Sequence, residues 1–107
     1  MENTREELLA YLKQNHISEE TALRAKDIRE LFRIRDKHVR TMVSRLRQEG
    51  EPICSSDAGY WYSKNPEDIE KTLRRLEGQV RNMNYSIEGL KQALKENTKD
   101  EDYNSYY

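Results

Sequence analysis

Residues 36–50 read Asp-Lys-His-Val-Arg-Thr-Met-Val-Ser-Arg-Leu-Arg-Gln-Glu-Gly. Val39, Met42, Val43 and Leu46 fall at i, i+3, i+4 and i+7, the apolar stripe of an amphipathic helix. At about 100° per residue the opposite face collects Lys37, Thr41, Ser44 and Gln48. His38 and Arg45 flank that face on one side, Arg40 and Arg47 on the other. Such a face carries hydrogen-bond donors and positive charge but almost no carboxylate, the character of a helix laid in the major groove of DNA. Gly50 ends the helix as its cap.

Immediately upstream, residues 25–32 read as a second helix that buries Ile28, Leu31 and Phe32. Arg33-Ile34-Arg35 is then the turn between the two helices, with Ile34 pointing inward. Residues 17–25 stay open between a loop, a short extended segment and an early helical turn, with Leu23 as their anchor to the core. Further back, Thr4-Arg-Glu-Glu7 is a capping box that opens a first helix. Leu8, Leu9 and Leu12 give that helix its buried face, Tyr11 sits at the edge, and it stops near Asn15-His16. His16 has no second histidine nearby and reads as a surface or cap residue, not a ligand.

Downstream, Pro52-Ile-Cys-Ser55 and Gly59-Tyr-Trp-Tyr62 read as two strands joined by Ser56-Asp57-Ala58. A two-stranded hairpin is marginal alone, so it must pack on the helices. Ile53, Tyr60 and Tyr62 are the candidates for its packed side. Trp61 alternates to the other face, against the helix that follows, with stacking on a base as the alternative. Asn65-Pro66-Glu67-Asp68 is a helix start, with Asn as N-cap, Pro at the first position and acids in the first turn. Ile69, Leu73, Leu76, Val80, Met83, Ile87, Leu90 and Leu94 then recur at alternating spacings of four and three. With Leu73, Val80, Ile87 and Leu94 at a and the other four at d, this is a heptad pattern that predicts a coiled-coil homodimer, parallel or antiparallel. From Thr98 the chain is acidic and without apolar period, so residues 98–107 are expected to be disordered. The leading reading is a plain solubilising tail, with docking of Tyr103, Tyr106 and Tyr107 on a protein partner as the alternative.

Apolar residues make up 35% of the 107 and charged residues 36%, so a large core is excluded and part of the chain must be elongated or disordered. The predicted organisation is a first domain over 1–64, a long helix over 65–97 and a tail over 98–107. The net charge of −1 is unevenly spread. Between Arg24 and Arg47 nine Lys and Arg stand against three acids (Asp27, Glu30, Asp36), a local +6. A basic segment inside a neutral protein is still an electrostatic footprint for nucleic acid. Cys54 is the single cysteine, which excludes a disulfide framework and a cysteine-based zinc site. No apolar run approaches the roughly 20 residues of a membrane helix, and no signal-peptide core is present, so a cytoplasmic protein is expected.

The order helix, helix–turn–helix, hairpin is that of a winged helix. The run from Asp27-Ile-Arg-Glu-Leu-Phe through Val39-Arg-Thr-Met-Val-Ser-Arg-Leu-Arg-Gln-Glu-Gly, then Pro52-Ile-Cys-Ser-Ser and Gly59-Tyr-Trp-Tyr, resembles the DNA-binding domain of biotin-operon-repressor type. It is more similar still to short proteins of phages and prophages of Gram-positive bacteria, in which an Asn-Pro-Glu start, as at Asn65-Pro66-Glu67, opens a long C-terminal helix. The resemblance covers about Thr4 to Leu94. It implies that 36–49 is the recognition helix and 53–62 the wing, in a mainly α fold with a small β-hairpin. Where the family has Gly in the turn and then a Ser or Thr cap, this chain has Arg33 and Arg35. Arg33 is therefore expected in an altered turn conformation, with Asp36 as the cap. The wing tip carries no Lys or Arg, which argues against minor-groove reading by the wing.

Two isolated histidines, one cysteine and no glycine-rich phosphate loop supply no catalytic pair or metal set, so neither an enzyme nor a cofactor is expected. The leading expectation is a dimeric double-stranded-DNA-binding protein of phage or prophage type, a transcriptional regulator or replication accessory factor, nucleoid-associated in the bacterial host when bound. Lys37, His38, Arg40, Thr41, Ser44 and Arg45 are the candidate DNA contacts, and Arg24, Lys26, Arg29 and Arg47 the candidate phosphate contacts. The alternative is a winged helix used as a protein-interaction or DNA-packaging adaptor that oligomerises through its C-terminal helix.

Overall fold

Each predicted element forms, and in the predicted order. The computed structural model describes residues 2–98, with side chains from Thr4 onward. Helix α1 spans Glu2–Asn15, α2 Ala25–Phe32 and α3 Asp36–Gln48. Strands β1 (Ile53–Ser56) and β2 (Gly59–Tyr62) pair antiparallel, and α4 runs over Pro66–Asn97. The fold is mainly α with one small hairpin: a winged helix-turn-helix followed by a long C-terminal helix. No helix among the described residues is long and apolar enough to cross a membrane. The tail expected over 98–107 lies, from residue 99, outside the described residues.

The core is drawn from the three short helices and the hairpin. Leu8 and Leu12 of α1, Ile28 of α2, Val39, Met42, Val43 and Leu46 of α3, and Ile53 of β1 are all buried in one cluster with Leu23. The stripe of α3 is the one its spacing predicts. That of α2 is not: Leu31, expected inside, is 53% exposed. Ala25, Ile28 and Phe32 fall within a narrow arc of the helix, whereas Leu31 lies almost a quarter-turn off its centre. Leu31 therefore points to solvent.

The connection before α2 resolves into a 3₁₀ turn, Glu19–Thr21, followed by an extended residue. Leu23 pairs with Tyr60, its N–H donating to the Tyr60 carbonyl (2.7 Å) and its carbonyl accepting from Tyr60 N–H (2.9 Å). This bridge gives the hairpin a third partner and explains Gly59. A Cβ there would stand 2.6 Å from the Leu23 carbonyl oxygen, and the backbone has φ +129°. His16 closes α1: it is half-buried, its ring Nδ1 donates to the Thr21 carbonyl, and its own carbonyl accepts from Tyr62 N–H. The helix starts earlier than the expected cap at Thr4, because nothing in the first residues breaks it; Thr4 is inside α1 and the capping box does not open it.

At the other end of α3, the chain leaves through a Schellman arrangement. Gly50 takes φ +92° just beyond the capping residue Glu49, Gly50 N–H donates to Arg47 and Glu51 N–H to Leu46. Between α2 and α3, Arg33 has φ 54° and ψ 52°, as its place in a glycine position predicts. A side chain in this left-handed region costs about 1 kcal/mol relative to glycine. Arg33→Gly should therefore raise the melting temperature, by about 4–8 °C for a domain of this size, in a thermal melt followed by circular dichroism.

The hairpin's outer face meets the start of α4. Trp61 is buried (3% exposed), as expected of a residue facing the next helix, and its Nε1–H donates to Asp68 at 3.3 Å. The Ser63 hydroxyl donates to the same carboxylate at 2.8 Å. Ser55 N–H donates to the buried Thr72 hydroxyl at 3.2 Å. Asn65 accepts from Glu67 N–H at 3.0 Å, the predicted N-cap. These bonds move the domain boundary from the expected residue 64 to Thr72: residues through Thr72 form one compact unit, and those from Leu73 a second.

Candidate nucleic-acid interface

Burial of Val39, Met42, Val43 and Leu46 fixes the rotation of α3 and with it the face left to solvent. Lys37, Arg40, Thr41, Ser44, Arg45 and Gln48 line an open groove of about 360 Å³ along that face. Five of these are predicted contact residues, brought together on one surface, and no carboxylate is among the six. The Thr41 hydroxyl donates to the Lys37 carbonyl at 2.9 Å, leaving its oxygen as an acceptor toward solvent. Gln48 Nε2 donates to the Ser44 hydroxyl oxygen at 3.1 Å, so the Ser44 proton is directed elsewhere. The face thus offers cations flanking two short polar groups, a set that suits phosphate oxygens and base edges alike. His38 is half-buried and does not line the groove.

A second open groove, of about 400 Å³, lies at the helix–turn–helix corner and is lined by Lys26, Arg29, Glu30, Ile34, Arg35 and Asp36. Lys26 and Arg29 are among the candidate phosphate contacts of the sequence; Arg35 is not. Its signal is available in the sequence, since an arginine directly before α3 precedes the positive end of that helix's dipole. Asp36 does not cap α3. The extended residue is Arg35 (φ −93°, ψ 161°), so Asp36 is already the first helical residue, and its carboxylate instead pairs with Arg29 Nε at 3.1 Å. Both partners are exposed, so the pair adds little stability but offsets the charge of Arg29. Arg24 is exposed before α2 and lines neither groove.

Arg47 is the clearest departure. Expected on phosphate, it is half-buried: Nε donates to the Ile53 carbonyl at 2.7 Å and Nη2 to the Ser55 hydroxyl at 3.0 Å. The guanidinium satisfies strand β1 and so ties the hairpin to α3. The wing tip itself is the two-residue turn Asp57-Ala58, closed by Ala58 N–H donating to the Ser56 hydroxyl at 3.0 Å. It presents an acid and no cation.

Cys54 pairs across the hairpin with Trp61 and is buried beside it; burial pushes its thiol above the ordinary range, the opposite of nucleophile activation. Among the described residues no three His, Cys, Asp or Glu cluster as metal ligands do. The burial of Trp61 also turns it away from base stacking. Its fluorescence should be blue-shifted in the folded protein and change little when duplex DNA is added; strong quenching by DNA would contradict its placement.

Comparison of the chain with protein-family models, with curated proteins and with solved structures finds no match.

Proposed function

We propose that the protein binds double-stranded DNA as a homodimer, each copy laying α3 in a major groove and the two copies joined through α4. The observation that carries the first half is the α3 groove, where Lys37, Arg40 and Arg45 stand together with no carboxylate in the lining. Lys26 at the start of α2 and Arg35 directly before α3 extend the cationic track toward the backbone. The short acidic wing tip leaves recognition to α3, and Arg47 serves as the strut that holds wing and helix together.

The second half rests on α4. Leu73, Val80, Met83, Ile87 and Leu90 are 42–70% exposed in a single chain. Five large apolar side chains on one helix stripe are the surface a partner helix covers. With two heads, the protein is a regulator or replication accessory factor acting on paired sites, in line with the phage-type resemblance of its sequence. The test is a mobility shift on random duplex DNA across a salt series. Affinity should fall linearly on a log–log plot, with a slope of about −0.9 for each phosphate neutralised. Absence of any shift at low salt would overturn the reading.

A further inference from the structure

The orientation of the α4 pair is legible from its flanking residues, given the dimer proposed above. β-Branched Val80 and Ile87 at a, with Leu76 and Leu90 at d, allow a parallel pair. In a parallel pair, however, each g residue meets the e residue of the next heptad. That sets Thr72 against the partner's Glu77, Gln79 against the partner's Asn84 and Ser86 against the partner's Lys91. No charge pair forms, and Thr72 is already buried with its hydroxyl bonded to Ser55 N–H.

Antiparallel pairing changes every one of these meetings. A two-fold axis between Val80 and Met83 sets Leu73 against the partner's Leu90, Leu76 against the partner's Ile87, and Val80 against the partner's Met83. Each layer then joins one a residue to one d residue, and the stripe from 73 to 90 is matched without a gap. On the flanks, e meets e and g meets g. Glu70 comes against the partner's Lys91, Glu77 against the partner's Asn84, and Gln79 against the partner's Ser86. By symmetry each contact occurs twice. Lys91 is exposed and holds an i,i+3 pair with Glu88 at 3.5 Å, which an ammonium with three donors can share.

We propose that α4 self-associates antiparallel in this register, with a second copy of the chain as the occupant of its apolar stripe and the Glu70–Lys91 pairs setting the direction. The points where the two chains enter the bundle are then far apart. Thr72 stands level along the axis with the partner's Lys91, on the opposite flank, so the two copies of Thr72 are about 28 Å apart along the axis, against about 10 Å across a parallel pair.

The experiment is disulfide trapping in the full chain, where buried Cys54 stays out of reach. A size-tagged Leu76→Cys chain is mixed with an untagged Ile87→Cys chain and oxidised. The expected product is the mixed disulfide of intermediate size, with no Leu76→Cys homodimer, since those two positions lie about 16 Å apart in the antiparallel register. A Leu76→Cys homodimer in place of the mixed product would overturn the orientation while leaving the dimer standing. Charge reversal gives a second arm that leaves the seam intact. Glu70→Lys should weaken dimerisation about tenfold and Lys91→Glu should restore it when combined; a double variant no tighter than Glu70→Lys alone would also overturn it. A parent protein that scatters light as a monomer at tens of micromolar would remove the dimer itself.

Discussion

Arg40→Ala combined with Arg45→Ala should abolish most DNA binding while leaving helicity and melting temperature close to those of the parent. Both side chains line the α3 groove and are exposed, so their removal opens no cavity. A direct arginine contact to a base pair contributes about 1–3 kcal/mol. Losing two per copy lowers affinity by at least about a hundredfold in a two-headed protein. If all four contacts are to phosphates, the salt slope should also flatten by about 3 to 4. The measurement is a titration at fixed low salt, repeated across the salt series. A double variant that binds as well as the parent would place the interface on another face, with the corner groove of Lys26 and Arg35 the next to examine.

Val80→Asp should convert the proposed dimer to a monomer and reduce binding to an inverted-repeat duplex by about 10²–10⁴, the advantage of two linked heads. Val80 is 59% exposed in the single chain, so the carboxylate is solvated there and the fold survives. In the paired seam the same carboxylate is desolvated beside its symmetry mate, a like charge. Light scattering reads the mass and a duplex titration reads the affinity. A dimer that persists in this variant would move the interface off the stripe. A deletion that mimics Val80→Asp must begin after Thr72. A cut at Pro66 would take away Asp68 and Thr72, and with them the partners of Trp61, Ser63 and Ser55.

Much of this arrangement is written in periodicity. Val39, Met42, Val43 and Leu46 announce both the helix and its rotation, and the rotation alone delivers the groove residues to one face. Asn65-Pro66 announces α4, and the strand alternation of Gly59–Tyr62 announces the burial of Trp61. What periodicity leaves open is long-range pairing. Nothing local says that Arg47 will meet Ile53 and Ser55, because the helix face on which it lies is equally the face of a phosphate contact. Leu31 misled for a related reason: in an eight-residue helix two apolar spacings compete, and only the neighbouring elements choose between them. The same holds at residues 17–25, where the extended Leu23 exists because Tyr60 pairs with it. Residue type points to Asp36 and Thr4 as caps, whereas capping depends on which residue leaves the helical backbone region, and that is settled by the residues before them.

The bonds between the hairpin and the first turns of α4 carry one more consequence, for how that helix comes to exist. Starting an isolated helix is unfavourable by about 4 kcal/mol, because several dihedrals are fixed before the first bond repays them. In α4 the nucleus is held from outside. Asn65 fixes the entry, Asp68 is fastened by Trp61 and Ser63, and Thr72 is fastened by Ser55. Propagation from Leu73 then adds one residue at a time to a turn already formed, which is how Gly78 and Gly89, at about 1 kcal/mol each, are tolerated along its length. The wing of this protein is therefore a template for helix growth, and disturbing Trp61 or Asp68 should loosen α4 from its beginning.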